Sequence, residues 1–259
     1  FQKSALMRKL YGWEWSRKLL HRVAGKQLKK LFGGRMRLFA IGGAKFDSAA
    51  ERFLLEAGFP YGIGYGLTET APLLAGAVGK MVRVGSTGPA LPAVKVRLDN
   101  INPDTQQGEI VVQTPSCMVG YYKNEEATKA AFTEDGWFRT GDLGAMAEDG
   151  WIFIKGRLKN MIVGPSGENI YPEDIEEVLN SNRFVAESVV TEEDGKLIAL
   201  VHFDTTELEE AYDEFKHKVA VSAEQLQLKM EEIKREVMEY VNSKVNRFSK
   251  ISKVVDNEG

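Results

Sequence analysis

Cysteine and histidine are scarce in this sequence. Its 259 residues include one cysteine, Cys117, which cannot form a disulfide within the chain and fits a reducing compartment. The three histidines, at positions 21, 202 and 217, lie far apart in the sequence. Zinc sites use clusters of Cys and His ligands at short spacings. The sequence therefore indicates neither a disulfide framework nor a zinc site.

Long apolar runs are also lacking. No apolar stretch approaches the roughly 20 residues that a helix needs to cross a bilayer. The first 18 residues are basic and have no apolar core, unlike a signal peptide. These features predict a cytoplasmic protein. The chain begins at Phe1 and not at Met, so we expect it to be a piece of a longer protein.

Two common nucleotide-binding fingerprints are absent. The pattern G-x-x-x-x-G-K-[ST] does not occur, which disfavours a P-loop NTPase. Gly62, Ile63 and Gly64 begin the pattern G-x-G-x-x-G, but its sixth position is Leu67 and the match fails. From local sequence alone, the stretch YGIGYGLTETAP at 61–72 is a loop that bends where β-carbons would clash.

Charge is distributed unevenly along the chain. Residues 1–37 contain eleven Lys and Arg against Glu14 alone, a net charge of +10, whereas residues 38–259 carry −13. A basic helix that contains Trp suits contact with anionic lipid or nucleic acid, or a solvated face on a larger domain. We favour the solvated face, expect no nucleic-acid partner, and keep peripheral contact with the anionic inner face of a membrane as the alternative.

Hydrophobic periodicity predicts an α/β piece followed by a β-rich piece. Residues 1–31 predict a helix, and residues 36–47 predict a strand and a glycine loop that lead into a helix over 48–57, capped by Asp47 or Ser48. From Gly85 onward, short alternating runs predict antiparallel strands of a small barrel or sheet.

A small α+β module is predicted after about residue 157. It contains a hairpin around Gly164–Gly167, a helix that starts near Pro172, and a strand pair that turns at Asp194–Gly195. Residues 207–246 are mostly helical, with one apolar stripe that predicts packing and not a cofactor site: Leu226, Met230, Ile233, Val237 and Tyr240.

Four short stretches carry candidate chemistry: Gly42–Gly43–Ala44, Tyr65–Gly66–Leu67–Thr68–Glu69, Thr140–Gly141–Asp142 and Gly156–Arg157–Leu158–Lys159. With DGWFRTGDLG at 135–144 and GENIYPEDIE at 167–176, their order and intervals resemble the adenylate-forming superfamily of acyl-CoA synthetases, luciferases and peptide-synthetase adenylation domains. The stretches VGSTGPALPAVKVRLDN, GRLKNMIVGPSGENIYPEDIE and VNRFSKIS are most similar to bacterial long-chain fatty-acid CoA ligases.

The resemblance implies a fold and an activity. The fold is α/β plus α+β: the end of the large AMP-binding domain, with an α/β layer and a small β-barrel, over residues 1–157, and a small mobile C-terminal lid domain over 158–259. The implied activity joins a long-chain fatty acid to ATP, releases pyrophosphate to form an acyl-adenylate, and transfers the acyl group to CoA, with Mg²⁺ as the metal. The resemblance also allows the protein to form a homodimer.

The resemblance also implies roles for single residues. Thr68 and Glu69 are the catalytic pair: Thr68 hydrogen-bonds the α-phosphate and Glu69 is the Mg²⁺ ligand, a role that suits a carboxylate. Asp142 accepts both ribose hydroxyls, and Arg157 holds the same sugar or the phosphate from the other side. Tyr65 offers a flat face for adenine.

Glycines and the hinge complete the implied site. Gly42, Gly43, Ala44 and Gly66 let the base approach the backbone, and Gly167 lines the pantetheine channel, where a side chain would block it. Lys159 is the position about which the small domain rotates.

The chain departs from the superfamily pattern at several points. Ile63 stands where many relatives have a polar residue, which leaves adenine recognition to other groups. No Ser/Thr/Gly-rich phosphate loop with a lysine precedes residue 42, and the chain ends before the family's catalytic lysine, a role that we do not assign to Lys250 or Lys253. We therefore expect the 259 residues alone to be inactive. Two alternatives stay open: an adenylating enzyme for an aryl or amino acid, and a non-catalytic nucleotide-binding module.

Overall fold

The computed structural model describes residues 12–43, 46–216 and 223–257. Contacts between elements divide the chain into two compact units, one ending at Ile154 and the other beginning at Lys155. The predicted division, after residue 157, lies three residues later in the chain.

The first unit opens with two helices that pack on each other, α1 (Glu14–Leu31) and α2 (Ser48–Ala57). The predicted cap of α2 is confirmed: Asp47 accepts a hydrogen bond from the Ala50 amide at 2.6 Å. Residues 1–11 of the predicted first helix lie outside the described part of the chain.

A three-stranded sheet follows these helices in the first unit: β1 (Phe39–Ile41), β2 (Tyr61–Gly66) and β3 (Leu73–Val78). Strand β1 runs parallel to β2, with Phe39 opposite Tyr61, and β3 runs antiparallel to β2. The carboxyl ends of β1 and β2 therefore meet at one edge of the sheet. Gly42 and a short 3₁₀ turn (Thr68–Thr70) follow these two strand ends.

The β-rich part forms one five-stranded sheet in the order β4-β8-β7-β6-β5, with a short helix α3 (Glu125–Ala130) between β6 and β7. The predicted barrel is not closed. The two edge strands do not pair with each other in the described residues; β4 is two residues long and lies beside β3, where Ala75 bridges Ala90. The strand bounds are β4 (Gly88–Pro89), β5 (Lys95–Asp99), β6 (Gly108–Gln113), β7 (Phe138–Met146) and β8 (Trp151–Arg157).

The second unit is the expected α+β module. A hairpin, β9 (Ile162–Val163) and β10 (Asn169–Ile170), leads into α4 (Pro172–Asn180), with Pro172 in its first turn. A sheet in the order β11-β12-β13 follows. Its elements and the remaining helices are β11 (Val185–Glu193), β12 (Lys196–Phe203), α5 (Thr205–Lys216), α6 (Ala223–Lys244) and β13 (Lys253–Asp256).

The apolar stripe on α6 packs into the core of the second unit. Ile233 and Val237 are buried beside Ile175 of α4, and Met230 and Tyr240 pack against the same cluster. The turn between β11 and β12 has positive φ at both Asp194 and Gly195, as a two-residue hairpin turn requires. Both predictions are confirmed.

No helix among residues 12–43, 46–216 and 223–257 is long and apolar enough to cross a membrane.

Candidate functional site

Tyr65 and Asp142 meet in the first unit although 77 positions separate them in the chain. The Tyr65 hydroxyl donates a hydrogen bond to Asp142 Oδ2 at 2.6 Å. Tyr65 is half-buried and packs against the cluster that contains Leu74 and Ile110, whereas Asp142 is only 4% exposed. An aromatic face and a carboxylate with a fixed orientation therefore lie side by side at the end of β2.

An irregularity in β7 sets the orientation of Asp142. On β6, Glu109 and Val111 are two residues apart, but their partners Leu143 and Arg139 on β7 are four apart. The extra residues belong to Thr140–Gly141–Asp142, and Gly141 has a φ of +71°. Bulges of this kind bend a strand and redirect a side chain. The strand thereby turns Asp142 toward Tyr65.

Glu69 lies on the 3₁₀ turn that follows β2. It is half-buried, and its Oε1 accepts a hydrogen bond from the Tyr121 hydroxyl at 2.9 Å. Burial, together with the hydrogen bond to Glu69 and its charge, raises the pKa of the Tyr121 phenol above its ordinary value of 10. Tyr121 therefore stays protonated at neutral pH and acts as a donor. Thr68, on the same turn, is exposed.

The turn is fixed by hydrogen bonds from both sides. The buried Thr70 donates through Oγ1 to the carbonyls of Leu67 and Pro72, at 3.0 and 2.9 Å. From the segment after β6, the Met118 amide donates to the Glu69 carbonyl at 2.7 Å and Ser116 Oγ donates to the Thr70 carbonyl at 2.8 Å. These bonds hold the backbone under Glu69 in one conformation.

The surroundings of Glu69 fit a divalent cation that is also bound by phosphate. Among the described residues, no Lys, Arg or His forms an ion pair with Glu69, and no group of three His, Cys, Asp or Glu side chains could cage a metal. Mg²⁺ is commonly held by one or two carboxylates, with phosphate oxygens and water completing its shell. A single carboxylate with one oxygen hydrogen-bonded to a neutral phenol meets that need.

Steric crowding explains why glycine occupies two positions at the site. A β-carbon on Gly66 would lie 1.7 Å from the Pro72 carbonyl oxygen, so no side chain fits there. A β-carbon on Gly42 would lie 3.0 Å from the Gly64 carbonyl, which brings the ends of β1 and β2 together. Gly43 has a φ of +89°, and Ala44 lies outside the described residues. Gly42 and Gly66 thus allow neighbouring backbone segments to lie close together. Contact of these glycines with the adenine base stays a prediction.

Ile63 packs in a hydrophobic cluster of the first unit. It alternates with Gly62 and Gly64 along β2 and packs against the cluster of Leu54 and Phe59 between the sheet and α2. Its apolar character follows from that position.

The other three predicted residues lie in or at the start of the second unit. Arg157 is exposed, and its amide donates to Glu173 Oε1 at 3.3 Å. Lys159 lies in a 3₁₀ turn (Leu158–Asn160), and Gly167 has a φ of +83° at the tip of the β9–β10 hairpin. The first unit alone brings together Gly42, Tyr65, Thr68, Glu69 and Asp142.

Sequence reasoning missed Tyr121 and Ser116. Both follow β6 in the stretch TPSCMVGYYKN, and both contact the turn that carries Glu69. No regular spacing connects them to residue 69, because the contact depends on how the chain leaves the five-stranded sheet. The sequence offered one signal for a functional segment here, which is the pair of adjacent tyrosines in this stretch.

Known proteins share both the sequence and the architecture. Residues 7–122 match the family described as AMP-binding enzyme. The long-chain-fatty-acid–CoA ligase FadD15 of Mycobacterium bovis is 34% identical over 203 residues, which are 78% of this chain and 32% of that protein. The chain thus spans about a third of the length of this curated relative.

Two solved structures of one enzyme superpose on most of the chain. O-succinylbenzoate CoA synthetase of Bacillus subtilis with the acyl-adenylate intermediate OSB-AMP gives a TM-score of 0.69 and 27% identity, covering 86% of this chain and 43% of that one. The same enzyme with ATP and magnesium gives a TM-score of 0.68 and 26% identity, with the same coverage. Sequence and architecture agree, and the chain belongs to the AMP-binding superfamily of adenylate-forming enzymes.

Proposed function

We propose that this chain supplies the nucleotide site of an acid–CoA ligase. The observation that carries the proposal is the hydrogen bond between Tyr65 and Asp142 at the end of β2, with Glu69 on the turn that directly follows this strand. An aromatic face, a ribose-binding carboxylate and a metal-binding carboxylate are the groups that a magnesium–nucleotide complex needs. The similar enzyme of known structure was solved with ATP and magnesium, which supports this choice of ligand.

In the proposed reaction, a carboxylate oxygen of the substrate attacks the α-phosphorus of ATP and pyrophosphate leaves. Tyr65 stacks on adenine and Asp142 accepts the ribose hydroxyls, which fixes the nucleotide. Thr68 donates a hydrogen bond to the α-phosphate, and Glu69 holds the metal. When bound, Mg²⁺ neutralises charge on the phosphate oxygens. The acyl group then passes from the adenylate to the thiol of CoA, and AMP leaves.

The two units are proposed to divide this work. The first unit is part of the large AMP-binding domain, with Gly42, Gly43, Ala44 and Gly66 at the adenine end. The residues after Lys159 are the lid, which turns about Lys159 and brings Gly167 to the pantetheine arm of CoA, while Arg157, which precedes the hinge, holds the ribose or the phosphate. The position of Lys159 in a short 3₁₀ turn just past the division at Ile154 supports a hinge there.

We propose a long-chain fatty acid as the acyl substrate. The identity with the fatty-acid ligase over 78% of the chain supports this class. The similarity to o-succinylbenzoate synthetase makes an aryl acid the alternative. Carboxylate-dependent exchange of labelled pyrophosphate into ATP, measured with the full-length protein that contains this chain, separates them. Exchange with palmitate and none with o-succinylbenzoate or benzoate is the expected result, and the reverse preference would refute the fatty-acid assignment.

Glu69→Gln tests the metal role in the same assay. Losing one charge at a phosphate-bound cation costs about 3 kcal/mol, or about a 10²-fold lower exchange rate. The matched control is Glu134→Gln, which changes a carboxylate on the turn before β7. Unchanged exchange by Glu69→Gln at saturating Mg²⁺ would remove Glu69 from the site.

A further surface bears on partners and location. Helix α1 exposes Trp15, Leu19 and Val23 together with Arg22 and Lys26. We favour a solvated face on a larger domain of a cytoplasmic enzyme, because the chain spans about a third of the fatty-acid ligase. Anionic lipid is the alternative. If the full-length protein co-sediments with phosphatidylserine vesicles and added salt abolishes the co-sedimentation, the result would favour lipid.

A further inference from the structure

Tyr121 has no role in the function proposed above, yet it is the side chain that contacts Glu69. Its hydroxyl donates to Glu69 Oε1 at 2.9 Å, and Tyr121 itself is 40% exposed. The bond joins two segments that are 52 positions apart, so it is a tertiary contact and not a feature of the local turn.

The backbone of Tyr121 is fixed by helix α3. Thr128 Oγ1 accepts a hydrogen bond from the Tyr121 amide at 2.9 Å and donates to the Asn124 carbonyl at 2.8 Å. Asn124 caps the helix by accepting the Ala127 amide at 3.0 Å. A β-carbon on Gly120 would lie 2.7 Å from Thr128 Cγ2, so the chain before Tyr121 lies directly on the helix. The backbone that carries the phenol is thus attached to α3.

A half-buried glutamate on a one-turn helix still has several rotamers, and ordering such a side chain costs entropy. The phenol reduces that freedom in advance. It also distinguishes the two oxygens, because Oε1 is taken by the hydrogen bond while Oε2 is left for a cation. Groups that hydrogen-bond a metal-binding carboxylate set its orientation, and their loss usually lowers metal affinity about 10–100-fold.

We propose that Tyr121 is a positioning residue that orients the Glu69 carboxylate for the magnesium–nucleotide complex. The inference rests on the proposed function, in which Glu69 is the metal ligand. Tyr121 acts through Glu69 and touches neither the nucleotide nor the substrate.

The test is a double-mutant cycle on the full-length protein, read by calorimetric binding and not by turnover. Tyr121→Phe keeps the ring and removes the hydroxyl, so it should weaken binding of the magnesium–ATP complex about 10-fold. AMP binding in the presence of EDTA should stay unchanged, which also shows that the variant is folded. Tyr122→Phe is the matched control: it removes the same atom from the adjacent tyrosine, which is 88% exposed, and should change neither affinity.

The cycle separates failure of this inference from failure of the proposed function. Glu69→Gln should weaken magnesium–ATP binding, and Tyr121→Phe should add nothing further in that background, since its effect passes through the carboxylate. Equal losses from Tyr121→Phe with and without Glu69→Gln, or no loss at all, would overturn the positioning role while leaving Glu69 in place. No effect of Glu69→Gln would overturn the metal role and the inference together.

Discussion

At the scale of single residues, the candidate site depends on a three-residue irregularity in β7. Thr140 Oγ1 donates to the Ile110 carbonyl at 2.7 Å and accepts the Asp142 amide at 3.1 Å. Gly141, at a φ of +71°, lies between these two contacts. Because only glycine adopts that conformation without a steric cost, the glycine and the orientation of Asp142 are coupled.

Gly141→Ala should reduce both stability and nucleotide affinity. A β-carbon in the left-handed region costs about 1–2 kcal/mol, and relief of that strain would rotate Asp142 away from Tyr65. Gly150→Ala is a matched control, since Gly150 has a φ of +81° in a turn outside the site and, like Gly141, has open space around it. Urea denaturation should show similar losses for the two variants, and AMP titration should show weaker binding for Gly141→Ala alone. Equal AMP affinity in Gly141→Ala and Gly150→Ala would show that the irregularity in β7 does not contribute to nucleotide binding.

The superfamily resemblance predicted the site residues themselves, but it did not predict the residues that contact them. The stretches around Tyr65, Glu69 and Asp142 carry recognisable residue types at fixed order, so their proximity could be anticipated. Tyr121 could not be, because its partner is 52 positions away and its approach depends on the path between β6 and α3. The close approach of Pro72 to Gly66 was equally invisible, since it needs the register of β2 and β3.

At the scale of secondary-structure elements, α4 holds the segment that contains the proposed hinge. Glu173, in the first turn of α4, accepts the Arg157 amide at 3.3 Å and Asn160 Nδ2 at 2.8 Å through Oε1. These two donors flank Lys159. One carboxylate therefore fixes the 3₁₀ turn from both sides, and any rotation about Lys159 has to break or carry those bonds.

Glu173→Ala should loosen this segment without unfolding the second unit. Losing a hydrogen bond of this kind costs about 1.4 kcal/mol, so amide hydrogen exchange at Arg157 should be about tenfold faster. Glu232→Ala, which removes an exposed carboxylate paired with Lys229, is the control and should leave that amide unchanged. Unaltered exchange at Arg157 in Glu173→Ala would show that another contact holds the turn.

Elements with a clear period were predictable, and those with an interrupted one were not. The stripe on α6 and the Asp194–Gly195 hairpin follow from local sequence. Strand β7 (Phe138–Met146) contains two glycines and an aspartate, so its alternation is broken where it forms the site, and this stretch was recognised as a motif but not as a strand. The predicted barrel required two edge strands to meet, which short local runs cannot reveal.

At the scale of the whole molecule, each unit has its own core. The cluster around Ile175, Ile233 and Val237 contains residues of the second unit only, and the cluster around Leu74, Ile110 and Phe138 lies in the first. Tyr65, Glu69 and Asp142 all belong to the first unit. The nucleotide contacts proposed for these three residues are therefore testable in the 259-residue chain itself, whatever further segments turnover requires.

The most direct measurement is calorimetric titration of this chain with AMP, comparing the parent with Asp142→Ala. Asp142 is proposed to accept two hydrogen bonds from the ribose, and their loss predicts about 2–4 kcal/mol weaker binding. Asp149→Ala is the control. Asp149 lies between β7 and β8 and pairs with Arg83, and this variant should bind AMP like the parent. A large loss confined to Asp142→Ala is the predicted result. Equal AMP affinity in Asp142→Ala and the parent would contradict the assignment of this site to an adenine nucleotide.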